Sequence, residues 1–449
     1  MKLSTFDFIL LVLYALVCIG IGFWSSRSKK DEDYLIAGRK MSYLGFVSSV
    51  VASYIGGAAV VAYSAYVYEF GISAIAVFVG TAAGFLIFIP YALKLRLISG
   101  KKQFLTLSDW FYYKYDKQTG LLSAIILFIV YFGMLLNQFI AGSSILSHIS
   151  GMSYEAALLI SAGIITVYLL AGGFNSVIRT DIFQYIVLFV LFILLGVVLI
   201  EQDRSFGKEL ADFSRMDPVM TVVFIAFGIL IIFQSAEYWQ RVYAAKNRKV
   251  VVGGLRTSAV LVVMTGLAVS VVGLSAHHHA PGIESRNAFA QGLTILISPK
   301  FIGASLVLLF AAIMSSADTI IFVLASSLAK DYIANFKKEG TSPHSMKNYT
   351  RWFILLFSVL GFIFAYYFRD LVAVIIFITG LGFTVIPAAI ASFHFQITRI
   401  AAMASFVSGL VYIFILIVTN NLIPELSIAS IAVAALALVI VQLLTRKKS

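Results

Sequence analysis

The stretch LLFAAIMSSADTIIF, residues 308–322, is the most informative part of the sequence, because it is apolar enough to lie in a bilayer and yet carries polar groups at its centre. Ser315, Ser316 and Asp318 stand in its middle. An ionised carboxylate in hydrocarbon costs at least about 2.5–3.5 kcal/mol, so such a residue usually faces a partner, a cavity or an ion. The stretch therefore indicates a transmembrane helix that lines a polar site inside the protein.

Composition places the whole chain in the same class. Its 449 residues are 61% hydrophobic and 12% charged, with a mean hydropathy of +0.97, which leaves too little polar surface for a soluble globule of this size. Apolar runs of about 20 residues, the length that crosses a bilayer, recur along the chain. The sequence predicts an all-α integral membrane protein with about thirteen transmembrane helices, near 6–24, 43–67, 71–93, 121–148, 154–172, 181–200, 219–240, 253–275, 301–329, 350–368, 371–395, 402–419 and 426–444.

The basic residues predict the orientation, because Lys and Arg are retained on the cytoplasmic side. They collect in every second loop and at the carboxyl end: Arg27, Lys29, Lys30, Arg39 and Lys40; Lys94, Arg96, Lys101, Lys102, Lys114 and Lys117; Arg241, Lys246, Arg248, Lys249 and Arg256; Lys330, Lys337, Lys338 and Lys347; and the terminal TRKKS. We expect a multi-pass protein of the cell membrane, with its amino terminus outside and its carboxyl terminus in the cytoplasm.

The same distribution excludes several partners. The formal charge of +12 is spread over short loops and is not gathered on one folded module, so the lipid bilayer and not a nucleic acid is the expected partner. The single cysteine, Cys18, rules out an intramolecular disulfide and a cysteine metal cluster. No loop carries a pattern typical of a catalytic centre, and we expect no enzyme. The sequence predicts no particular oligomeric state.

The ninth predicted span, 301–329, presents oxygen atoms on one face. Ala312, Ser315 and Ser316 stand at i, i+3 and i+4, so a main-chain carbonyl and two hydroxyls share a side of the helix. A hard monovalent cation takes about five or six oxygen ligands, and these three would supply half of a sodium shell. Ser315, Asp318 and Thr319 repeat the spacing with a negative charge. The alternative is that the serines serve close helix packing and bond back to their own helix.

Another carboxylate, Asp181, stands at the predicted cytoplasmic start of the sixth span, 181–200. Two functions remain open for it. It is either an N-cap of that helix or a second acidic group that faces Asp318.

Two predicted spans are interrupted by polar or flexible residues near mid-depth. In GFVSSVVASYIGGAAVVAYSAY, residues 45–66, the pair Gly56 and Gly57 favours unwinding that would free carbonyls such as those of Ala52 and Ile55, although glycines also serve close packing. Five spans later, FQSAEYWQR interrupts the seventh span at 233–241. Interruptions five spans apart are typical of an inverted repeat of five plus five helices with a binding site at the midplane.

Five motifs, in the same order, resemble those of the sodium/solute symporter family, which includes sodium-coupled proline, glucose and sialic acid carriers. The resemblance covers nearly the whole chain. The motifs are YLIAGRKMSYLGF (34–46), LTLSDWFYYKYD (105–116), YLLAGGFNSVIRTDIFQ (168–184), WQRVYAAKN (239–247) and AAIMSSADT with SSLAKDY (311–319 and 326–332).

The resemblance implies a single transmembrane transporter domain, residues 1–449, with a leucine-transporter-type 5+5 inverted-repeat core. The ten core helices correspond to residues 43–395, with an extra helix and cytoplasmic loop at 1–42 and two further helices at 396–449.

The resemblance also implies ligands for sodium ions, the only cofactor expected. The main sodium site corresponds to the carbonyls of Ala52, Ile55 and Ala312 with the hydroxyls of Ser315 and Ser316, which the spacing had already selected. Some family members have a second sodium site, which corresponds here to Asp181, Ser315, Asp318 and Thr319. We expect these four residues to surround a second cation, with a proton or Arg179 as a further source of positive charge.

The solute is suggested by departures from the family. Ala58 and Ala59 stand where sugar carriers have a Glu-Gln pair, and the third core helix lacks the Arg that would clamp a sialic acid carboxylate. Glu237 would either bind a cationic amine or pair with Arg241 at i+4. The predicted solute-binding residues are Tyr54, Gly56, Gly57, Tyr131, Gln138, Gln234, Ser235, Glu237 and Phe383.

The sequence thus predicts a sodium-coupled symporter that imports a small polar organic solute, an amino acid or related zwitterion, by alternating access. Two alternatives stay open. One is a proton-coupled carrier of similar fold, because Asp181, Asp318 and Glu237 are each able to carry a proton. The other is a sodium-coupled carrier of a monocarboxylate, a sugar or a sugar acid.

Overall fold

The computed structural model describes residues 5–27, 30–201, 204–296, 302–335, 341–368 and 371–445, and these residues are almost entirely helical. Their one isolated β-bridge joins Met41 to Ala245. Of the basic residues used to predict orientation, Lys29, Lys337, Lys338 and those at 446–449 lie outside the described residues.

Within the described residues, the first half of the chain forms nine helices. A 3₁₀ turn at Gly71–Ile75 joins the fourth to the fifth. The helices are α1 (Thr5–Ser25), α2 (Asp31–Ile36), α3 (Tyr43–Tyr54), α4 (Gly57–Phe70), α5 (Ala76–Lys102), α6 (Ser108–Lys114), α7 (Lys117–Ser150), α8 (Tyr154–Gly172) and α9 (Phe174–Glu201).

The second half forms twelve helices. A 3₁₀ turn at Ser285–Asn287 precedes α14, and a π-helical segment at Leu328–Ala334 follows α15. The helices are α10 (Arg204–Glu209), α11 (Pro218–Gln234), α12 (Ala236–Ala244), α13 (Arg248–His279), α14 (Ala288–Leu296), α15 (Ile302–Ser327), α16 (Pro343–Tyr367), α17 (Leu371–Phe383), α18 (Ile386–His394), α19 (Arg399–Val418), α20 (Pro424–Ile428) and α21 (Ser430–Thr445).

Several long helices start at a side-chain cap, which explains where they begin. The oxygens of Ser42, Asp116, Ser153 and Asn247 accept hydrogen bonds from main-chain N–H groups in the first turns of α3, α7, α8 and α13. These bonds satisfy donors that a helix start leaves without a partner. Asp217 caps α11 in the same way, with proline at the first helical position.

The length and hydropathy of the described helices identify fewer membrane spans than the thirteen predicted. Within the described residues, ten helical stretches are long and apolar enough to cross a bilayer, or eleven if α11 and α12, which are bent by 52°, form one span. One of these stretches, Ala59–Lys102, is counted once although it contains parts of α4 and α5, which the turn at Gly71–Ile75 separates and which the sequence predicted as two crossings. The count of thirteen and the 5+5 repeat therefore remain predictions.

The helix α15, which contains the stretch 308–322, lies at the centre of the protein. It packs against α1, α3, α7, α8, α9 and α16. Residues 310–326 are all buried, including both serines and the aspartate. The polar residues of this helix thus face other helices, as the cost of a carboxylate in lipid requires.

Small residues bring some helices into backbone contact. Gly80 of α5 faces α11 so closely that a Cβ at this position would be 2.2 Å from the carbonyl oxygen of Ile225. Gly228 of α11 is equally close to the carbonyl of Val77. Membrane helices pack in this way because close backbone approach replaces the hydrophobic effect that lipid removes.

Candidate functional site

The first predicted helix interruption is present. The helix α3 ends at Tyr54, Gly56 is extended with φ −63° and ψ 152°, and α4 begins at Gly57. A helix end leaves main-chain carbonyls without intrahelical donors. Ala52 and Ile55 belong to this end and are buried, and their carbonyls remain predicted ligands of the main sodium site.

Ser316 of α15 contacts this interruption directly. Its Oγ donates to the carbonyl oxygen of Ser53 at 3.3 Å, and a Cβ on Gly56 would be only 2.5 Å from the same Oγ. Ala312 and Ser315 are buried on the same helix at i−4 and i−1 from Ser316. The structure therefore brings the hydroxyl of Ser316 to the broken helix, which is the contact that the main-site prediction requires.

Ser315 contacts Asp181 instead. Its Oγ donates to Oδ1 of Asp181 at 2.5 Å, and Ser49 of α3 donates to Oδ2 at 2.5 Å. Asp181 is fully buried and lies well inside α9, which starts at Phe174 and not at residue 181. The N-cap alternative for Asp181 is therefore wrong, because seven residues of the helix precede it.

Asp318, one turn along α15, is also fully buried. Its Oδ2 accepts hydrogen bonds from Tyr168 Oη at 2.6 Å and from Thr180 Oγ1 at 3.2 Å. Its Oδ1 has no hydrogen-bond partner in the described residues. The four residues predicted for the second sodium site thus lie on two facing helices, α9 and α15.

The positive charge of this cluster comes from Arg241, a fully buried residue of α12. Its Nη2 lies 2.7 Å from Ser53 Oγ, 2.9 Å from Thr319 Oγ1 and 3.4 Å from Asp181 Oδ2. Its Nε donates to Ser49 Oγ at 2.8 Å.

Two predictions about arginines are corrected here. Arg241 was predicted in a cytoplasmic loop, yet it is buried in the core. Arg179, the predicted source of positive charge, lies with its guanidinium over the ring of Trp24, 4.1 Å from the centroid.

Glu237 is the second residue of α12, next to the break between α11 and α12, and it is buried. Its carboxylate accepts a hydrogen bond from the Tyr131 hydroxyl of α7. Arg241 donates to the main-chain carbonyl of Glu237 at 3.1 Å, and its ion pair is with Asp181. The alternative that Glu237 forms a side-chain pair with Arg241 is therefore wrong.

Other predicted solute-binding residues adjoin the two interruptions. Gln138 Nε2 would be 3.0 Å from a Cβ on Gly56, and the Gln234 side chain lies against Gly382, next to Phe383. The amide oxygens of Gln138 and Gln234 are buried without a hydrogen-bond partner in the described residues.

Two predicted residues use their hydroxyls elsewhere. Tyr54 bonds to Thr81 of α5 at 2.6 Å, and Ser235 bonds to the carbonyl of Ile231 at 2.8 Å.

Four residues that bond to Asp181, Asp318 or Arg241 were not predicted from the sequence: Ser49, Ser53, Tyr168 and Thr180. A signal for two of them was present. Ser49 and Ser53 stand at i and i+4 on one face of a predicted membrane helix, the same spacing that identified the serines of α15.

Broken helices that meet a buried face of oxygen ligands define a class of membrane transporter. A solved Na⁺-coupled sialic acid symporter, in a substrate-bound outward-open state, has the same fold, the leucine-transporter type: its TM-score is 0.80 at 15% identity, over 99% of this chain and 98% of that chain. The model of the sodium:solute symporter family matches residues 34–412. The chain belongs to the sodium:solute symporter family, as the resemblance of its motifs had indicated.

Two curated relatives match along most of their length. A high-affinity proline transporter of Bacillus subtilis is 24% identical over 419 residues, with 87% of each chain covered. A sodium/pantothenate symporter of Haemophilus influenzae is 23% identical over 376 residues, covering 79% of this chain and 78% of the relative. The protein is therefore a membrane transporter and not an enzyme, and its relatives support sodium-coupled symport.

Proposed function

We propose that this protein is a sodium-coupled symporter of the cell membrane that imports an amino acid or a related zwitterion. The observation that carries the proposal is the contact of Ser316 with the broken helix at Ser53 and Gly56. A sodium ion bound there by Ala52, Ile55, Ala312, Ser315 and Ser316 would join α15 to the end of α3 at the break. Binding would favour the conformation in which the solute site is formed.

The entry of one sodium ion releases enough free energy to concentrate the solute inside the cell. Its inward movement releases about 2.3 kcal/mol at 100 mV and about 1.4 kcal/mol for a tenfold gradient. Together these concentrate a neutral solute roughly 500-fold. Because coupling is reciprocal, the solute must also tighten sodium binding.

The polar groups near the two interruptions support a zwitterion of small size. Tyr131, which bonds Glu237, and Gln138, which adjoins Gly56, are seven residues apart on α7. They share a face of that helix and are separated by about 10 Å. A solute ammonium group would bind Glu237, and a solute carboxylate would bind the free N–H groups at the start of α4.

Hydrogen-bond acceptors also favour a solute with N–H donors. Glu237 and the amide oxygens of Gln138 and Gln234 are buried. Arg241, which would otherwise suit a carboxylate, is bonded to Asp181 and three hydroxyls. A sugar would need several matched donors and acceptors, and Ala58 and Ala59 provide none from their side chains.

The orientation proposed is amino terminus outside and carboxyl terminus in the cytoplasm, on the distribution of Lys and Arg. A proton-coupled carrier is the second candidate, and the unpartnered Oδ1 of Asp318 favours it. The two candidates differ in what drives uptake at a fixed pH.

The test uses the purified protein in liposomes. Thermal unfolding is first measured with a panel of amino acids, organic acids and sugars, each in sodium and in potassium buffer. Solutes that stabilise the protein more in sodium are then radiolabelled for uptake, beginning with L-proline. We expect uptake of an amino acid to require an inward sodium gradient at constant pH. Uptake driven by a pH gradient without sodium would contradict the proposal and favour proton coupling.

A further inference from the structure

We infer that Arg241 is the resident cation of the second predicted cation site, so that this protein binds one sodium ion and not two. The inference rests on the proposed sodium-coupled function. It replaces the prediction that Asp181, Ser315, Asp318 and Thr319 surround a second sodium ion.

The first step concerns the oxygen atoms that already accept hydrogen bonds from the guanidinium of Arg241. Arg241 donates N–H groups to the hydroxyl oxygens of Ser49, Ser53 and Thr319. Thr319 is also a predicted ligand of the second sodium ion, which would bind a lone pair of the same hydroxyl oxygen. Because a hydroxyl oxygen that accepts from a guanidinium has less capacity left for an ion, the arginine and a second sodium compete for the same ligands.

The second step is charge. Asp181 is paired with Arg241 at 3.4 Å, and both side chains are fully buried. The remaining Asp181 contacts are hydroxyl donors, Ser49 and Ser315. A sodium ion placed between Asp181 and Thr319 would lie within a few ångströms of the guanidinium, and two like charges at that distance repel strongly in a poorly solvated interior.

The third step concerns Asp318, the other carboxylate. It is held by Tyr168 from α8 and Thr180 from α9, which donate to its Oδ2. Among the described residues, its Oδ1 is the carboxylate oxygen of the predicted site that has no hydrogen-bond partner. One carboxylate oxygen with Ser315, whose hydroxyl hydrogen points to Asp181, falls well short of a sodium shell.

The fourth step concerns how the positive charge of Arg241 connects the helices. Arg241 is the sixth residue of α12, which begins directly after the interruption at Ser235. A sodium ion can leave this cluster, but a guanidinium cannot. Arg241 therefore gives α12 a permanent bond to α3, α9 and α15, whereas sodium at Ser316 provides the reversible one.

The experiment counts bound sodium and needs no knowledge of the solute. Radioactive sodium is titrated into purified protein in nanodiscs, and the ions bound per chain at saturation are measured. We expect one ion for the wild type and for Arg241→Lys, which keeps the charge. Arg241→Gln removes the charge but keeps a polar side chain, and we expect it to bind two ions.

Two further variants serve as controls. Arg96→Gln removes another guanidinium, one that bonds the carbonyls of Ala245 and Lys246, and should still bind one ion. Asp181→Asn with Arg241→Gln removes both charges of the pair, and we expect it to return to one ion. This double variant also covers the case in which Arg241→Gln alone does not fold, because it does not leave Asp181 buried as a charge that has lost its partner.

Several outcomes would overturn the inference. Two sodium ions bound to the wild type would do so without any variant. A folded Arg241→Gln protein that still binds one ion would show that the arginine does not compete with sodium, as would a double variant that binds two. Failure of the proposed function is distinguishable, because uptake that needs no sodium would contradict symport even if one ion is bound.

Discussion

The two oxygen-rich faces of α15 differ in how they are charged. The face at Ser316 meets the broken helix α3–α4 through neutral groups, a hydroxyl and main-chain carbonyls. The face at Ser315, Asp318 and Thr319 carries one carboxylate and meets a second one, Asp181, and the guanidinium of Arg241. Neutral oxygens hold a monovalent cation reversibly, whereas a fixed ion pair holds its partners continuously. The comparison suggests that one face couples transport to sodium and the other keeps the helices aligned.

The largest effect should follow from breaking the fixed pair. Asp181→Asn leaves the guanidinium of Arg241 buried without its ionic partner, and removal of one member of a buried pair costs about 3–5 kcal/mol. We expect a marked fall in the thermal unfolding temperature in detergent. The double variant with Arg241→Gln should recover much of that loss. If the single variant is as stable as the wild type, the pair does not hold α12 in place.

A smaller but more specific effect is expected at the neutral face. Ser316→Ala removes one ligand to a charged ion, worth about 1.5–3 kcal/mol, so the half-saturating sodium concentration should rise by one to two orders of magnitude while the fold survives. Ser161→Ala is the matched control, since its buried hydroxyl bonds only the carbonyl of Ala157 in its own helix. Unchanged sodium dependence in a well-folded Ser316→Ala protein would remove the main site from this face.

The effect at Glu237 should depend on the solute. Glu237→Gln keeps an acceptor for the Tyr131 hydroxyl but loses the charge, so a solute with an ammonium group should bind about 10–100-fold more weakly, the worth of a charged hydrogen bond. A neutral analogue of the same shape should lose much less. Competition against the labelled solute measures both. Equal losses would assign Glu237 to structure and not to recognition.

The smallest effect is expected for an ion pair outside the membrane spans. Lys347 Nζ lies 2.9 Å from Asp31 Oδ1, and this hydrogen bond and charge lower the pKa of the Asp31 carboxyl. The two side chains are partly exposed, and surface pairs contribute about 0–1 kcal/mol. Asp31→Asn should therefore change the unfolding temperature only slightly.

The sign of the pH dependence at Asp31 follows from the direction of its shift. A lowered pKa stabilises the folded protein above the ordinary carboxyl pKa, near 4, and this contribution is lost as pH falls through the lowered value. The difference between wild type and Asp31→Asn should thus be present at neutral pH and vanish as the pH falls below the lowered pKa of Asp31. A difference that grows on acidification would contradict this assignment.

Local spacing predicted one of these faces better than the other. Ser315 and Ser316 follow the helical period, and Gly56 and Gly57 mark a place where a helix unwinds, so both sides of the Ser316 contact were identified from sequence. These signals need only the geometry of one helix.

Arg241 was not predicted correctly because its contacts are distant in the chain. Ser49 is 192 residues away and Asp181 is 60 residues away. Within its own segment the i+4 rule indicated Glu237, and the excess of basic residues nearby indicated a cytoplasmic loop. The bend of 52° between α11 and α12 turns the segment inwards.

A third interruption was also missed, between α17 and α18 at Thr384 and Val385. A sequence signal existed, since Pro387 lies in the first turn of α18, a usual position for proline at a helix start. The predicted span 371–395 was long enough to obscure it. Apolar runs identify what lies in the membrane, and breaks within them need the backbone cues of proline and glycine.

The most direct test of the central claim, one mobile sodium and one fixed cation, is the balance point of transport. Liposomes with the purified wild-type protein are loaded with labelled solute, and net flux is measured while the sodium gradient and the clamped potential are varied. We predict that flux of a neutral solute reverses when its concentration ratio equals the electrochemical ratio of sodium to the first power, roughly 500-fold at 100 mV and a tenfold gradient. Reversal at the square of that ratio would contradict the account, as would a balance point that sodium does not move.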